Sequence, residues 1–390
     1  MAGPSRAAGA RLCRYRRPPA LVPGPPAAVL PGTLMPTDAP TGAVPARTAR
    51  RRARSALARL TRAGLDNDSF RHEAAAILRE AIGFDWWCWP LIDPGARLPT
   101  RYAGLNSPVD QSQRRFCRLM PDTWDGGRNR AAKAAPPGVT VLSAETGGDL
   151  DRDPCWREMH KPAGYGDTMG VLLTAEGVCW ARLHVGRDSS GRWFSDEEAG
   201  FLAGVAPLLA ARLRDGLRAP RVHDDPGPEP GTIVVDRDLS LVAATDQAWQ
   251  WIGRLGMRPA SDAEPLPGFI YAIATRVRLQ AAGGRWAVVR VAPLTHGPQA
   301  GEGYAITLEP ARSEDLAPLL MRAWGFTPRE REVARLVIDG LSTDDIAAAL
   351  YISAHTVRGH LKAIFGEVGV SRRGDLAAAL AGQPPGMRGA

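Results

Sequence analysis

Residues 327–365 read TPREREVARLVIDGLSTDDIAAALYISAHTVRGHLKAIF, and their punctuation spells out short helices with marked ends. Thr327, Pro328 and Glu330 supply an N-cap, a proline for the first helical position and the reciprocal acid of a capping box. Val333, Leu336 and Val337 then give one buried face, and Gly340 closes that helix. Ser342 and Asp345 open a second helix with Ile346, Ala349 and Leu350 inward, and Tyr351-Ile352 is the turn. Ser353 caps a third helix, in which Val357, Leu361, Ile364, Phe365 and Val368 fall on a single apolar stripe. A fourth helix follows Arg372-Arg373.

The other face of the third helix carries the chemistry. At 100° per residue, His355, Arg358, Gly359 and Lys362 lie within roughly 100° of one another and away from the stripe, so Arg358 and Lys362 point outward. Residues 327–377 hold seven Lys/Arg and seven Asp/Glu, but the signs are segregated, −2 over 327–351 and +3 over 352–373. The major groove of B-DNA admits one α-helix, and the phosphates on its rims favour positive charge there and at the next helix start.

The string T-P-R-E-x-E, G-L-S, I-A-x-x-L, I-S-x-x-T-V, H-L-K and G-V-x-R-R over about 55 residues resembles the LuxR-type DNA-binding domain. The resemblance implies a four-helix domain over 326–384 with its helix-turn-helix at Thr343–Lys362. It further implies base contacts from Arg358, Gly359 and Lys362, phosphate contacts from Ser353, His355, Thr356 and Arg372, and a fourth helix available for homodimerisation. Thr343 and Arg373 join the expected DNA-binding set. Gly359 departs from the larger residue often found at its position, and an interior glycine costs a helix about 1 kcal/mol relative to alanine.

Outside this stretch the net charge of +8 is misleading. Residues 1–55 carry ten Arg against the single acid Asp38, which leaves about −1 for the other 335 residues. The Ala/Pro/Gly/Arg-rich segment 1–60 is expected to be a disordered tail, and Arg50-Arg51-Arg52-Ala53-Arg54 reads as a solvated basic helix start or a phosphate contact. With a second Met at position 35 and no acid before it, residues 1–34 are expected to be dispensable.

Residues 61–220 have the texture of an α/β domain. A helical repeat (Phe70, Ala74, Ile77, Leu78, Ala81) precedes a tryptophan-rich strand from Phe84 to Ile92. Strands Met169–Thr174 and Val178–Val185 flank a hairpin turn, and a capping box at Ser195/Glu198 starts a long helix burying Leu202, Val205 and Leu209. Helix, strands, hairpin and long helix resemble a GAF-like sensor domain, in which Trp86, Trp87 and Trp89 are a candidate effector pocket. Asp85-Trp86-Trp87-Cys88-Trp89, Asp93-Pro94, Leu98-Pro99-Thr100 and Glu309-Pro310-Ala311-Arg312 likewise look like regulators that join such a sensor to a LuxR-type tail. A proline-rich linker at 221–230 leads into 231–310, where strands near 232–235, 239–243, 286–291 and 304–308 and a short helix with Trp249, Trp251 and Ile252 are similar to a PAS-like fold. A linker helix at 311–325 is expected to join it to the four-helix domain.

Several function classes lack their residues. There is no G-x-x-x-x-G-K, G-x-S-x-G or G-x-G-x-x-G, so no enzyme is expected. A phospho-acceptor receiver domain needs clustered acids and a late lysine, whereas the three lysines here are Lys133, Lys161 and Lys362. The five cysteines, and His72, His160, His184 and His296, show no metal spacing, so neither metal nor cofactor is expected. No window reaches 18 uninterrupted apolar residues, which argues for a cytoplasmic protein without a membrane span. The expected partners are double-stranded DNA, a second copy of the chain, RNA polymerase and a small-molecule effector. The rival reading is a helix-turn-helix that serves as a protein-interaction module without sequence-specific DNA readout.

Overall fold

The computed structural model describes residues 46–105, 138–219, 227–255, 276–281, 284–296, 301 and 303–383. Expectations for residues 1–45 and for most of the 221–230 linker lie outside the described residues. The first correction falls inside the expected tail, where Ala46–Leu60 is a 15-residue helix, α1. Its Ala53 and Leu57 enter the core of the domain that follows. Of the arginines that suggested disorder, Arg51 and Arg52 sit on its outer side while Arg50 pairs with Glu197, and Ala53 and Leu57 supply the packing face.

Helix α2 (Asn67–Ile82) starts at Asp66, whose carboxylate accepts from the backbone N–H groups of Asp68 and Ser69. It packs with α1 and the long helix Asp196–Arg218 on one face of a seven-stranded antiparallel sheet. The strands are β1 (Trp86–Cys88), β2 (Leu91–Ile92), β3 (Pro99–Arg101), β4 (Gly104–Leu105), β5 (Val139–Val141), β6 (Tyr165–Ala175) and β7 (Val178–Asp188). The β6–β7 hairpin turns at Glu176-Gly177, both with positive φ (52° and 73°), the backbone that matches a two-residue turn to twisted strands. Pairing at Met169↔Val185 and Val171↔Leu183 puts these side chains on the helix-covered face, and His184, Gly186 and Gly170 on the other. A five-residue helix α3 (Leu142–Thr146) and a 3-10 and a π turn between β5 and β6 were not anticipated from sequence. Ser195 and Glu198 form the expected capping box at the start of the long helix, α4.

A second antiparallel sheet has the order β10-β11-β12-β8-β9, with β8 Gly231–Asp236, β9 Leu241–Ala244, β10 Arg276–Gln280, β11 Trp286–Pro293 and β12 Gly303–Pro310. Helix α5 (Asp246–Arg254) lays the fully buried Trp251 against it. The two sheets meet where Arg278 on β10 forms an ion pair with Asp93 (Nη2 to Oδ1 2.9 Å) and Arg101 on β3 donates to the Gln280 carbonyl at 2.9 Å. Five short helices close the chain: α6 (Ser313–Ala323), α7 (Pro328–Ile338), α8 (Thr343–Leu350), α9 (Ala354–Val368) and α10 (Arg373–Leu380). Among the described residues no helix is long and apolar enough to cross a membrane, and no group of His, Cys, Asp and Glu could hold a metal ion.

Candidate nucleic-acid interface

Each helix of the C-terminal domain begins where its cap residue stands. At α7, Glu330 accepts from the Thr327 backbone N–H at 2.8 Å while the Glu330 N–H reaches Thr327 Oγ1 at 3.3 Å. At α8 the same exchange joins Ser342 and Asp345, and those hydrogen bonds hold the Asp345 carboxyl below its ordinary range. At α9 the Thr356 N–H donates to Ser353 Oγ at 3.0 Å.

The turn between α8 and α9 is made by Tyr351 in the left-handed region (φ 53°, ψ 46°), with its side chain 95% exposed. A positive φ at a non-glycine residue is uncommon. It reverses the chain in one residue, so that α9 crosses α8 and seats Val357, Leu361 and Ile364 in the domain core. Arg329 braces this corner, donating from Nη2 to the Leu350 carbonyl at 2.7 Å. The sequence reading missed that brace.

With the stripe buried, Ser353, His355, Thr356, Arg358, Gly359 and Lys362 are all exposed along one side of α9 and its cap. Arg358, Lys362 and Arg372 make no ion pair among the described residues, so their charges face solvent. An added Cβ at Gly359 would meet nothing within 4 Å. Two members of the expected set stand differently. Thr343 and Arg373 are half-buried, and Arg373 Nη2 donates to Thr343 Oγ1 at 2.8 Å while Nη1 reaches the Leu341 carbonyl. Arg373 is therefore spent holding α10 to the start of α8 rather than presented beside Arg372.

The expected linker helix is also more than a connection. From α6, Leu316, Ala317, Leu320 and Met321 belong to the same core as Val333, Ile346, Val357 and Leu376. Its other side packs Leu319 and Ala323 on Trp180 of β7, and Arg218 of α4 donates to the Ala323 carbonyl at 2.7 Å. The apolar residues of α10, Leu376 and Leu380, are thus fully buried within the chain.

Residues 325–380 match the bacterial regulatory proteins of the luxR family. This segment is a LuxR-family helix-turn-helix domain. Among curated proteins, an HTH-type transcriptional regulator of Mycobacterium tuberculosis is 46% identical over 66 residues, 16% of this chain and 8% of that protein. An HTH-type regulator of Aeromonas salmonicida is 46% identical over 51 residues, 13% of this chain and 26% of that protein. The chain therefore spans under a tenth of the length of the mycobacterial relative, and the likeness concerns the LuxR-family domain. Solved structures similar to the chain include Escherichia coli SdiA (12% identity, 85% of this chain, 97% of that one, TM-score 0.30). A GAF domain of a Coxiella burnetii phosphoenolpyruvate-protein phosphotransferase is 14% identical over 44% of this chain and 96% of that one, with a TM-score of 0.31.

The three tryptophans upstream do not line one wall, which corrects the expected pocket. Because side chains alternate along β1, Trp87 and Trp89 enter the helix-covered core with their rings edge-on, 6.5 Å apart. Trp86 goes to the opposite face, over Gly186, where it meets His160 (5.4 Å) and Tyr165 (5.5 Å) between ring centroids. Any side chain on Gly186 would overlap the Trp86 ring, so this glycine makes room for it. Trp86 Nε1 and His160 Nδ1 are both buried and have no hydrogen-bond partner among the described residues. Burial pushes the His160 imidazole down to about 4, against the pull of Asp153, and pushes His184 well below its ordinary value, with Arg182 and His160 adding to the effect.

Proposed function

We propose that the chain is a sequence-specific transcription regulator, in which α9 of the LuxR-family domain lies in the major groove. The observation that carries this reading is the division of α9, with Val357, Leu361 and Ile364 buried while Arg358 and Lys362, one turn apart, are exposed and unpaired by acids. Arg358 reads a base edge and Lys362 steadies the groove. His355, Thr356 and the α9 cap Ser353 sit at the helix end that meets a phosphate, and Arg372 takes another. Gly359 contributes backbone alone. A single small domain makes few contacts, so a homodimer on two half-sites about one helical turn apart is the expected bound form.

The two upstream domains, read as GAF-like and PAS-like, are proposed to sense a small effector in the cytoplasm and pass its state on through α6. Of the tryptophans, Trp86 is the one that remains an effector candidate, since its indole N–H and the His160 ring nitrogen are buried without partners among the described residues. Such groups cost folding free energy when left unmade, and a polar ligand would satisfy them.

The test is selection of binding duplexes from random sequence by the full chain, followed by titration with Arg358→Ala and Lys362→Ala. A bidentate arginine–guanine contact predicts a loss of about 1–3 kcal/mol for Arg358→Ala and relaxed preference at one base pair per half-site. Equal affinity for all duplexes would leave the protein-interaction reading, with RNA polymerase as the first partner to try.

A further inference from the structure

Helix α1 carries six arginines, Arg47, Arg50, Arg51, Arg52, Arg54 and Arg59, and no acid. Of these, Arg50 is engaged, at 2.8 Å from Glu197 on α4, and the other five are exposed. At 100° per residue Arg51, Arg52 and Arg59 fall within about 100° of one another, on the side away from the buried Ala53 and Leu57. Arg47 and Arg54 flank that face, with Arg54 turned toward Gly204 of α4. Like charges one turn apart destabilise a helix, and Arg47 stands in the first turn, where the helix dipole disfavours a cation. The helix keeps this arrangement because its apolar side is fastened to the body.

We infer that the outer face of α1 is a second phosphate-binding surface, which holds duplex DNA flanking the site read by α9. The inference rests on the DNA-binding reading above and adds a contact made by a different domain. Charge complementarity names the occupant, since duplex DNA presents one negative charge per about 1.7 Å of axis and Arg47 to Arg59 span about 18 Å of helix. A lipid surface fits poorly, because an interfacial helix needs a free apolar face and that of α1 is already buried in the core. A second copy of the chain fits poorly too, since a two-fold contact would set this arginine row against itself. The connection to the LuxR-family domain is physical: α1 packs along α4, where Arg54 lies over Gly204, and the last turn of α4 holds α6, which shares the LuxR-family core.

The experiment compares the full chain with Arg51→Gln/Arg52→Gln/Arg59→Gln and with the charge-keeping Lys version of the same triple. Each is titrated onto a selected duplex in a short form, covering the half-sites alone, and a long form with flanks. All three proteins are expected to bind the short duplex alike. On the long duplex, wild type and the Lys version should bind more tightly and with steeper salt dependence. Loss of three contacts lowers the slope by about 2.7, so between 50 and 200 mM salt the wild type should lose about 40-fold more affinity than the Gln triple. Equal slopes for wild type and Gln triple on the long duplex would overturn the inference while leaving groove reading by α9 intact. A salt-dependent, α1-dependent affinity without sequence preference would support this surface and overturn the groove reading. Binding of the wild type to anionic vesicles or to RNA polymerase, with no effect of the Gln triple on any duplex, would also overturn it. Melting temperatures of the variants separate folding from binding, and the Gln triple is expected to melt no lower than wild type.

Discussion

The guanidinium of Arg373 and the hydroxyl of Thr343 are 30 residues apart in sequence and joined by a 2.8 Å hydrogen bond, with a second bond from the same arginine to the Leu341 carbonyl. Both residues read as DNA contacts in the sequence, yet they bond each other and fix α10 against the start of α8. Arg372, the adjacent residue, is exposed. Two neighbouring arginines thus have different duties. Arg373→Ala is expected to destabilise the domain by about 1–2 kcal/mol, because it leaves a carbonyl and a hydroxyl without their charged donor. Arg372→Ala should leave stability unchanged and reduce the salt slope of DNA binding by about 0.9. Thermal melts of both variants, beside titrations at two salt concentrations, check the assignment, and the reverse pattern would exchange the two roles.

Gly359→Ala is expected to stabilise the LuxR-family domain by about 1 kcal/mol. The residue is inside α9, exposed, and an added methyl meets nothing within 4 Å, so the helix-propensity gain comes without a packing cost. A melting temperature that fails to rise would mean that the backbone at Gly359 is not helical in solution.

The pH dependence of stability follows from the buried imidazoles. His160 is held down to about 4, and His184 lower than its ordinary value, so between pH 6.5 and about 4 the unfolded chain binds more protons than the folded one. Stability contributed by keeping them neutral is present above pH 6.5 and falls as the pH drops through that window, on the order of 1–3 kcal/mol for His160. Denaturant unfolding at pH 7.5 and pH 5 should show this loss, and His160→Gln should reduce it. An unchanged pH dependence in His160→Gln would mean that His160 is protonated in the folded state.

The caps explain why the C-terminal domain was legible. Thr327, Ser342 and Ser353 each sit one residue before a helix that begins as read, and the acids three residues on at 330 and 345 reciprocate. Such signals are local, so sequence carries them. Strand β10 was hidden because Arg278 interrupts its buried apolar residues, Val277 and Leu279, and its third buried residue is the polar Gln280. Arg278 is there to meet Asp93, 185 residues earlier, a relation that no local pattern encodes. The tryptophan cluster failed as a pocket for a simpler reason. Alternation along β1 sends Trp86 one way and Trp87 the other, whereas adjacency in sequence suggested a common wall.

Helix α6 sets where the LuxR-family domain can be cut free. Leu316 and Ala317 belong to its core, so a fragment beginning at residue 320 removes them and opens the seat of Leu376 and Leu380. A fragment of residues 312–383 is expected to be more stable than 320–383 by about 2–3 kcal/mol, the order of one buried leucine together with lost helix. Equal denaturation midpoints would show that α6 is not part of this domain's folding unit.

The last prediction concerns the junction that holds α6. Arg278 forms an ion pair with Asp93, which is 1% exposed, and its Nη1 donates to the Asp315 carbonyl in the first turn of α6 at 2.7 Å. One side chain therefore joins the first sheet, the second sheet and the helix on which the LuxR-family domain is seated. Asp93 Oδ1 also accepts the Gly95 and Ala96 backbone N–H groups, so Asp93→Asn keeps the turn and removes the charge, while Asp93→Ala removes both. Removing one partner of a buried pair costs about 3–5 kcal/mol, because the other charge stays buried without compensation. Replacing both with apolar residues relieves that burden, so Asp93→Ala with Arg278→Leu should cost clearly less than the sum of the single changes. Asp93→Asn should fall between wild type and Asp93→Ala. Urea unfolding of the set gives the coupling directly, and a coupling of more than about 1 kcal/mol is expected for groups in such contact. Additive losses would mean that Asp93 and Arg278 act separately.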